Sequence, residues 1–381
     1  MKTINFGIIG LGLMGREFAS AVMRWKHLPD MDVQPRITAI CSLPLPPETE
    51  AWYREGLGTI TQATEDYKEL LKNPDVDAVY CAVPHNLHQE IYTAIIRSGK
   101  HLFGEKPFGI DKAANEAILA EAEKYPDVFV RCVSQFPFMP GSQRICRLIE
   151  EDFFGKIIEV EADFLHSSDM NLEKPINWKR MIDVNGEYGC MGDLGMHTLT
   201  IPFRAGWIPR NVRAFLSNLV PRRPDGKGGT AACETWDNAT LLCDTETRDG
   251  HRFPMTVKTF RIAPGEMNTW SITVKGLKGA ARFTTKQVNH IEILEYTGGE
   301  QVWQHIDLGQ DTAFATITGG IFEFGFSDAV LQMMAGYCYE LAHGKPLSKF
   351  TGCVTPEETH LSHRLFTAAL ESQKNTSTAE V

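Results

Sequence analysis

The residues Ile4-Asn5-Phe6-Gly7-Ile8-Ile9 run directly into Gly10-Leu11-Gly12-Leu13-Met14-Gly15, and a stretch with helical spacing follows from about Arg16 to Lys26. The apolar run is too short for a helix, so the segment reads as strand, glycine turn, helix. Each glycine has a physical reason in that order: Gly10 permits the tight turn, Gly12 lets a pyrophosphate approach the backbone, and Gly15 allows close packing of helix on strand. Phosphates would sit on the positive end of the helix, which makes Gly10, Gly12, Leu13, Met14 and Gly15 candidate dinucleotide contacts. A purely structural glycine turn carries the same pattern; its place directly after a strand favours the dinucleotide reading.

Working outward, the chain continues in alternation. Strands are expected at Ile37 to Cys41, Asp77 to Val83, His101 to Phe103 and Val128 to Val133. Helices are expected from about Glu48, from Glu65 to Leu71, from Asn86 to Arg97 and from Lys112 to Lys124. Such alternation builds a parallel, doubly wound sheet, expected here over residues 1–130. Ligands of these sheets bind at the carboxyl ends of the strands, so Gly10, Ser42, Pro84, Glu105, Lys106 and Gln135 are candidates to face one crevice. An NAD-preferring fingerprint ends its second strand in an acid that binds the ribose hydroxyls, whereas Ser42 stands there, and no Arg or Lys follows until Arg54. The reading leaves NAD and NADP both open, with a slight lean to NAD.

Residues 131–381 read differently. Alternating apolar and polar residues at 156–164 recur near 212–218, 239–243, 254–262, 269–275, 279–284 and 290–296, the mark of an antiparallel sheet with one wet face. The expected fold is therefore a Rossmann domain followed by an α+β domain with a large, mostly antiparallel sheet. Pro221 to Gly229 reads as a surface loop and Lys374 to Glu380 as a frayed tail. Helices are expected from about Asp328 to His343 and after Thr355-Pro356-Glu357-Glu358, where Thr355 and Glu358 form a capping box around a first-position proline.

Composition narrows the partners. With 381 residues, 43% hydrophobic and 23% charged, the chain can bury two ordinary cores. Its 38 basic and 48 acidic residues give a net charge of −10, so no overall positive field draws it to nucleic acid or anionic membrane. A small molecule is the expected partner. The nine cysteines include no C-x-x-C and read as free thiols of a reducing compartment. No apolar run reaches the roughly 18 residues of a membrane helix. Lys2, Ile4 to Gly15 and Ala19-Ser20-Ala21 imitate a signal peptide, but cleavage there would discard the strand and glycine turn.

Two segments carry residue types suited to chemistry. Lys106, in Glu105-Lys106-Pro107 after a strand, is placed to polarise a carbonyl or share its proton, or is a plain surface lysine. Asp193 and His197, in Gly192-Asp193-Leu194-Gly195-Met196-His197, share a face; the carboxylate can fix the tautomer of a histidine that takes an alcohol proton, or the pair is a capped helix start. Trp178 and Lys179 offer an aromatic face and a donor to a polyol, or anchor a loop. His85-x-x-His88 and His360-x-x-His363 lack a third ligand at a metal spacing, so no metal is expected; Pro84 and His88 read as lining the cofactor edge. Esterase, kinase, Walker and zinc-protease motifs are absent from the sequence.

Together, Gly10 to Gly15, Val83-Pro84-His85-Asn86-Leu87-His88, Glu105-Lys106-Pro107, Phe154-Gly155-Lys156-Ile157 and Asp193-Leu194-Gly195-Met196-His197 resemble, in order and spacing, the glucose-fructose oxidoreductase, inositol dehydrogenase and rhizopine-catabolism family (Gfo/Idh/MocA). The resemblance covers nearly the whole chain. It implies a catalytic set of Lys106, Asp193 and His197: His197 accepts the hydroxyl proton, Asp193 supports it, and Lys106 binds the reacting oxygen and the cofactor ribose. It implies substrate contacts from Lys106, Trp178, Lys179, Asp193 and His197, and C-terminal helices that pack back toward the first domain. It also implies a cytoplasmic homo-dimer or homo-tetramer joined through the open face of the second sheet. Ser42 and His85 depart from the family pattern. The implied activity is NAD(P)-dependent oxidation of a secondary alcohol of a sugar or of a cyclitol such as inositol. Some relatives instead cleave glycosides by transient oxidation with a retained NAD, and others are non-catalytic sugar sensors.

Overall fold

The computed structural model describes residues 2–309 and 312–381. Two compact units emerge. One takes the chain up to Gly109, Ala113–Phe138 and Thr312–Thr359; the other takes Ile110–Lys112, the chain from Met139 ahead of Thr312, and His360–Val381.

In the first unit β1 (Lys2–Ile9), β2 (Val33–Cys41), β3 (Gln62–Thr64), β4 (Ala78–Cys81), β5 (His101–Gly104) and β6 (Val130–Cys132) form a sheet ordered β3-β2-β1-β4-β5-β6, paired in parallel throughout. This is the strand order of a dinucleotide-binding fold, reversing direction between β1 and β4. Between the strands run α1 (Leu13–Met23), α2 (Pro47–Leu57), α3 (Tyr67–Leu71), α4 (His88–Arg97) and α5 (Lys112–Lys124). Local chemistry sets their ends: Pro47 opens α2, Gly58 closes it at φ 64°, and the Asp66 carboxylate caps α3 by accepting from the Lys68 amide at 2.8 Å.

The second unit adds α6 (Pro140–Glu150), β7 (Ile157–His166), α7 (Ile182–Asn185), a π-helical turn at Met191–Gly195 and α8 (Met196–Ala205). Strands β8 (Ile208–Ser217), β9 (Arg222–Pro224), β10 (Thr230–Ala232), β11 (Asn238–Glu246), β12 (Arg252–Phe260), β13 (Asn268–Gly276), β14 (Gly279–Thr284), β15 (His290–Glu295) and β16 (Gln304–Asp307) follow. The remaining elements are α9 (Phe326–His343) in the first unit, α10 (Pro356–Asn375), and β17 (Ala379–Glu380) in the second. The large sheet runs β16-β15-β14-β13-β7-β12-β11-β8-β17, antiparallel except for the β7–β12 pair. Alternation sorts its faces: Val160, Ala162, Trp270, Ile272 and Val257 are buried, while Lys275 on the other face pairs with Glu159 at 2.7 Å and Glu161 at 2.9 Å.

Three sequence expectations are corrected. The tail is not frayed: Ala379 and Glu380 pair with Val212 and Asn211, because Arg213 donates to the carbonyls of Ser372 (3.1 Å) and Ser377 (3.2 Å) and holds the turn between α10 and β17. The 221–229 loop is a hairpin of β9 and β10, its turn fixed by the Asp225 carboxylate accepting from Lys227 N (2.7 Å) and Gly229 N (2.9 Å). The first compact unit also runs on to Phe138 rather than ending at 130, and α9, one of the C-terminal helices, belongs with its sheet. Its Tyr337 stacks on Phe103 of β5 at 4.4 Å, beside the Phe18–Tyr80 stack at 4.1 Å, so burial of its apolar faces draws it there.

Candidate functional site

The hydrogen-bond ladder of the first unit runs one residue past each strand. Gly10 N bonds Cys41 O (2.9 Å), Ser42 N bonds Thr64 O (3.3 Å), Ala82 N bonds Ile9 O (2.8 Å), Glu105 N bonds Cys81 O (3.0 Å) and Val133 N bonds Gly104 O (3.0 Å). Gly10, Ser42 and Glu105 thus lie along one carboxyl edge of the sheet, with exposed Pro84 and buried Gln135 just beyond it.

The glycine turn has the requirements read from its sequence. Gly10 sits at φ 96°, and a Cβ there would lie 2.2 Å from the Ala82 carbonyl oxygen. A Cβ on Gly15 would lie 2.3 Å from the Gly10 carbonyl, so the helix could not approach the strand as it does. Gly12 has an ordinary φ of −73°, and a Cβ would meet nothing within 4 Å. What excludes a side chain at Gly12 is therefore no protein atom. No side chain caps α1, no acid stands in its first turn, and Leu13 is 76% exposed. Open space at Gly12 beside uncapped helix amides fits a dinucleotide phosphate.

The turn carrying Lys106 is held from below. Tyr80 donates to the Glu105 carboxylate at 2.6 Å and Tyr92 to the Glu105 carbonyl at 2.8 Å. Burial first, and then the Glu105 charge, push the Tyr80 hydroxyl well above its ordinary range, so it stays a donor. Phe108, at φ 66°, buries its ring against Tyr92, and Asn115 donates to its carbonyl at 3.0 Å. His88 is fully buried, its Nε2 3.1 Å from Val83 O and its Nδ1 accepting from Gly109 N at 3.3 Å. Expected on the cofactor edge, His88 instead bridges the loops after β4 and β5, while Lys106 between them is partly exposed.

The second unit holds the other cluster. Asp193, 2% exposed, lies in the π-helical turn, with its carboxylate bound to the Arg261 guanidinium and 3.1 Å from Lys179 Nζ. Neither the turn nor α8 has a side-chain cap, which removes the capped-helix alternative for Asp193. His197 follows in the first turn of α8, its ring edge-on to Phe164 at 5.6 Å and its carbonyl accepting from Trp270 Nε1 at 3.0 Å. Asn177 caps the short 3-10 turn Trp178–Arg180 by accepting from Lys179 N at 3.0 Å. Within that turn the roles divide. Arg180, fully buried, binds Asp169 and Asp237 and anchors the loop; Lys179, about a third exposed, reaches Asp193 and lies 5.7 Å from the Trp178 ring. Burial would raise the Asp169 carboxyl, but the Lys174 hydrogen bond and the Arg180 and Arg261 charges outweigh it and hold it below the usual range.

Sequence reading missed Arg261 and Asp169. Arg261 had a legible signal: it continues the alternation of Met255, Val257 and Thr259, all buried, so it is a buried charge on the core face just past the end of β12. Asp169 lies in an irregular segment with no such signal. Among the described residues, no group of three or more His, Cys, Asp or Glu side chains is placed to hold a metal ion, and no helix is long and apolar enough to cross a membrane.

Residues 4–131 match the model of the oxidoreductase family with an NAD-binding Rossmann fold. Levoglucosan dehydrogenase of Pseudarthrobacter phenanthrenivorans is 24% identical over 306 residues, 77% of this chain and 76% of that enzyme. Inositol 2-dehydrogenase/D-chiro-inositol 3-dehydrogenase of Lactiplantibacillus plantarum is 27% identical over 150 residues, 39% of this chain and 41% of that enzyme. A solved structure of levoglucosan dehydrogenase in complex with NADH and L-sorbose superposes with a TM-score of 0.88 at 20% identity, covering 100% of this chain and 99% of that one, a likeness of fold.

Proposed function

We propose that this chain is an oxidoreductase of the glucose-fructose oxidoreductase, inositol dehydrogenase and rhizopine-catabolism family and that it oxidises a secondary alcohol of a sugar, sugar derivative or cyclitol, a reading supported by the match of residues 4–131 to an NAD-binding Rossmann domain. The observation that carries the reading is the cluster on the π-helical turn: Asp193, buried, is fixed between Arg261 and the partly exposed Lys179, four residues ahead of His197. π-Helical turns inside helices are frequent at functional sites, and a buried carboxylate ringed by donors is poised for polar recognition.

In this reading the carbinol carbon gives up its hydrogen with the bonding electron pair and the hydroxyl gives up its proton, leaving a carbonyl. A bound NAD supplies the acceptor for the hydride. His197 takes the proton, Asp193 keeps the neighbouring polar groups oriented, and Lys179 donates to a substrate hydroxyl. Lys106 donates to the reacting oxygen, easing its change from hydroxyl to carbonyl, and contacts the cofactor ribose. Gly10, Gly12, Leu13, Met14 and Gly15 hold the pyrophosphate, with Ser42 and Pro84 toward the adenosine.

The test mixes purified protein with NAD or NADP and a panel of inositols, aldoses, anhydrosugars, uronic acids and glycosides, following reduced nicotinamide by absorbance. A signal with one substrate class that falls by at least about 100-fold in Lys106→Ala is the expected result. Silence across the panel while NADH still binds tightly would refute net dehydrogenation.

A further inference from the structure

We propose that Glu65 sets the preference of this protein for NAD over NADP, replacing the acid that its second strand lacks at Ser42. The inference rests on dinucleotide binding at the glycine turn and needs no assumption about the substrate. The absence of an acid at position 42 removes the usual charge that repels a 2′-phosphate. Parallel pairing of β2 with β3 supplies another: Cys41 is in register with Thr64, and Ser42 N bonds Thr64 O at 3.3 Å, so the next residue, Glu65, stands at the same sheet edge one strand outward. Its carboxylate then turns back over the loop that follows Ser42, accepting from Leu45 N at 2.9 Å.

That contact acts in two ways. A 2′-phosphate on the adenosine ribose needs donors from the loop after the second strand, and the Leu45 amide is already taken by a carboxylate. The phosphate would also bring about two negative charges toward a fixed anion of the same sign. The surrounding charge agrees. Glu48 and Glu50 occupy the first turn of α2, and Arg54 is committed to Glu50 (2.6 Å) and the Ile60 carbonyl (3.0 Å). Arg16, in the first turns of α1, has its guanidinium 5.6 Å from the centre of the Trp52 ring. It is the cation that would favour NADP if the proposal were wrong.

The experiment titrates the intact protein with NADH and with NADPH, reading binding by energy transfer from tryptophan to the reduced nicotinamide. Glu65→Gln keeps an oxygen acceptor for Leu45 N while removing the charge, so it separates repulsion from loop anchoring; Glu65→Asp keeps the charge. Parent protein is expected to bind NADH at least about tenfold more tightly than NADPH, with the ratio shrinking as salt is raised. Glu65→Gln should narrow the ratio about tenfold, mainly through tighter NADPH, and Glu65→Asp should restore most of it. A ratio unchanged in Glu65→Gln overturns the proposal, as does parent protein that prefers NADPH and loses that preference in Arg16→Ala. Parent protein that binds neither cofactor overturns the nucleotide assignment beneath it, whereas a missing dehydrogenase activity with this binding pattern intact refutes only the proposed reaction.

Discussion

Gly10 and Gly12 of the first turn are alike on paper, yet replacing each by alanine should give different results. At Gly10 the new Cβ meets the Ala82 carbonyl oxygen at 2.2 Å and the backbone stays at φ 96°. The left-handed conformation costs alanine about 1–2 kcal/mol and relief of the overlap about 1–3 kcal/mol more, so Gly10→Ala should lose roughly 3 kcal/mol. For a unit of this size that is about 6–12 °C in Tm. Gly12→Ala places its Cβ where nothing lies within 4 Å, at an ordinary φ of −73°. Its cost is the small difference between glycine and alanine at a helix N-cap, up to about 1 kcal/mol. Its effect on ligand should be the reverse: the methyl fills the space that the phosphate needs, and NADH affinity should fall by at least about tenfold, near 1.4 kcal/mol. Calorimetric Tm without ligand and NADH titration by fluorescence, on both variants, read the two quantities separately. Equal Tm losses, or a Gly12→Ala protein that binds NADH like the parent, would refute the assignment of the open space to the cofactor.

Arg261→Met should destabilise the second unit by about 3 kcal/mol in urea unfolding, because the buried Asp193 carboxylate loses the guanidinium that is bound to it. Asp163 has its carboxyl pushed up to about 6 by burial, with Lys258 opposing and Glu161 adding to the rise. Because that value lies above the unfolded one near 3.9, the stability it contributes is present below about pH 4 and is lost as pH rises through 6. Asp163→Asn should therefore match the parent at pH 4 and exceed it by about 2 kcal/mol at pH 7.5, measured as urea midpoints across that range. Tyr80→Phe, which removes a donor from the buried Glu105 carboxylate, should cost about 1–3 kcal/mol and loosen the Lys106 turn, seen as faster amide exchange at Glu105.

The parts of this chain that sequence reading captured are those where one local rule dominates. The glycine turn, the βα alternation to Cys132 and the antiparallel runs each have a period or a φ requirement written in adjacent residues. The capping box before α10 is another: Thr355 N bonds Glu358 Oε2 at 2.9 Å and Glu358 N bonds Thr355 Oγ at 3.3 Å. What escaped depends on partners far along the chain. β3 is three residues of mixed polarity that become a strand only against β2. The π-helical turn at Met191–Gly195 leaves no mark in its letters, and the carboxylate it presents finds Arg261 across 68 residues. The sequence puts His88 on the cofactor edge beside Pro84, yet its two ring nitrogens meet Val83 O and Gly109 N in the loops after β4 and β5.

The return of the chain through α9 has a consequence for biosynthesis. Tyr337 covers Phe103 and lies beside Phe6, so the nucleotide-binding core lacks a wall until the ribosome has passed Thr359, after nearly all of the second unit has emerged. The first half of the chain must wait, its aromatic surface uncovered, for a helix encoded near the end. A fragment cut after Phe138 should accordingly be sticky and bind chaperones. The same sheet expressed with Thr312–Thr359 joined to it through a short flexible linker should fold as a soluble domain, because closure then depends on a short loop rather than on completing a second domain.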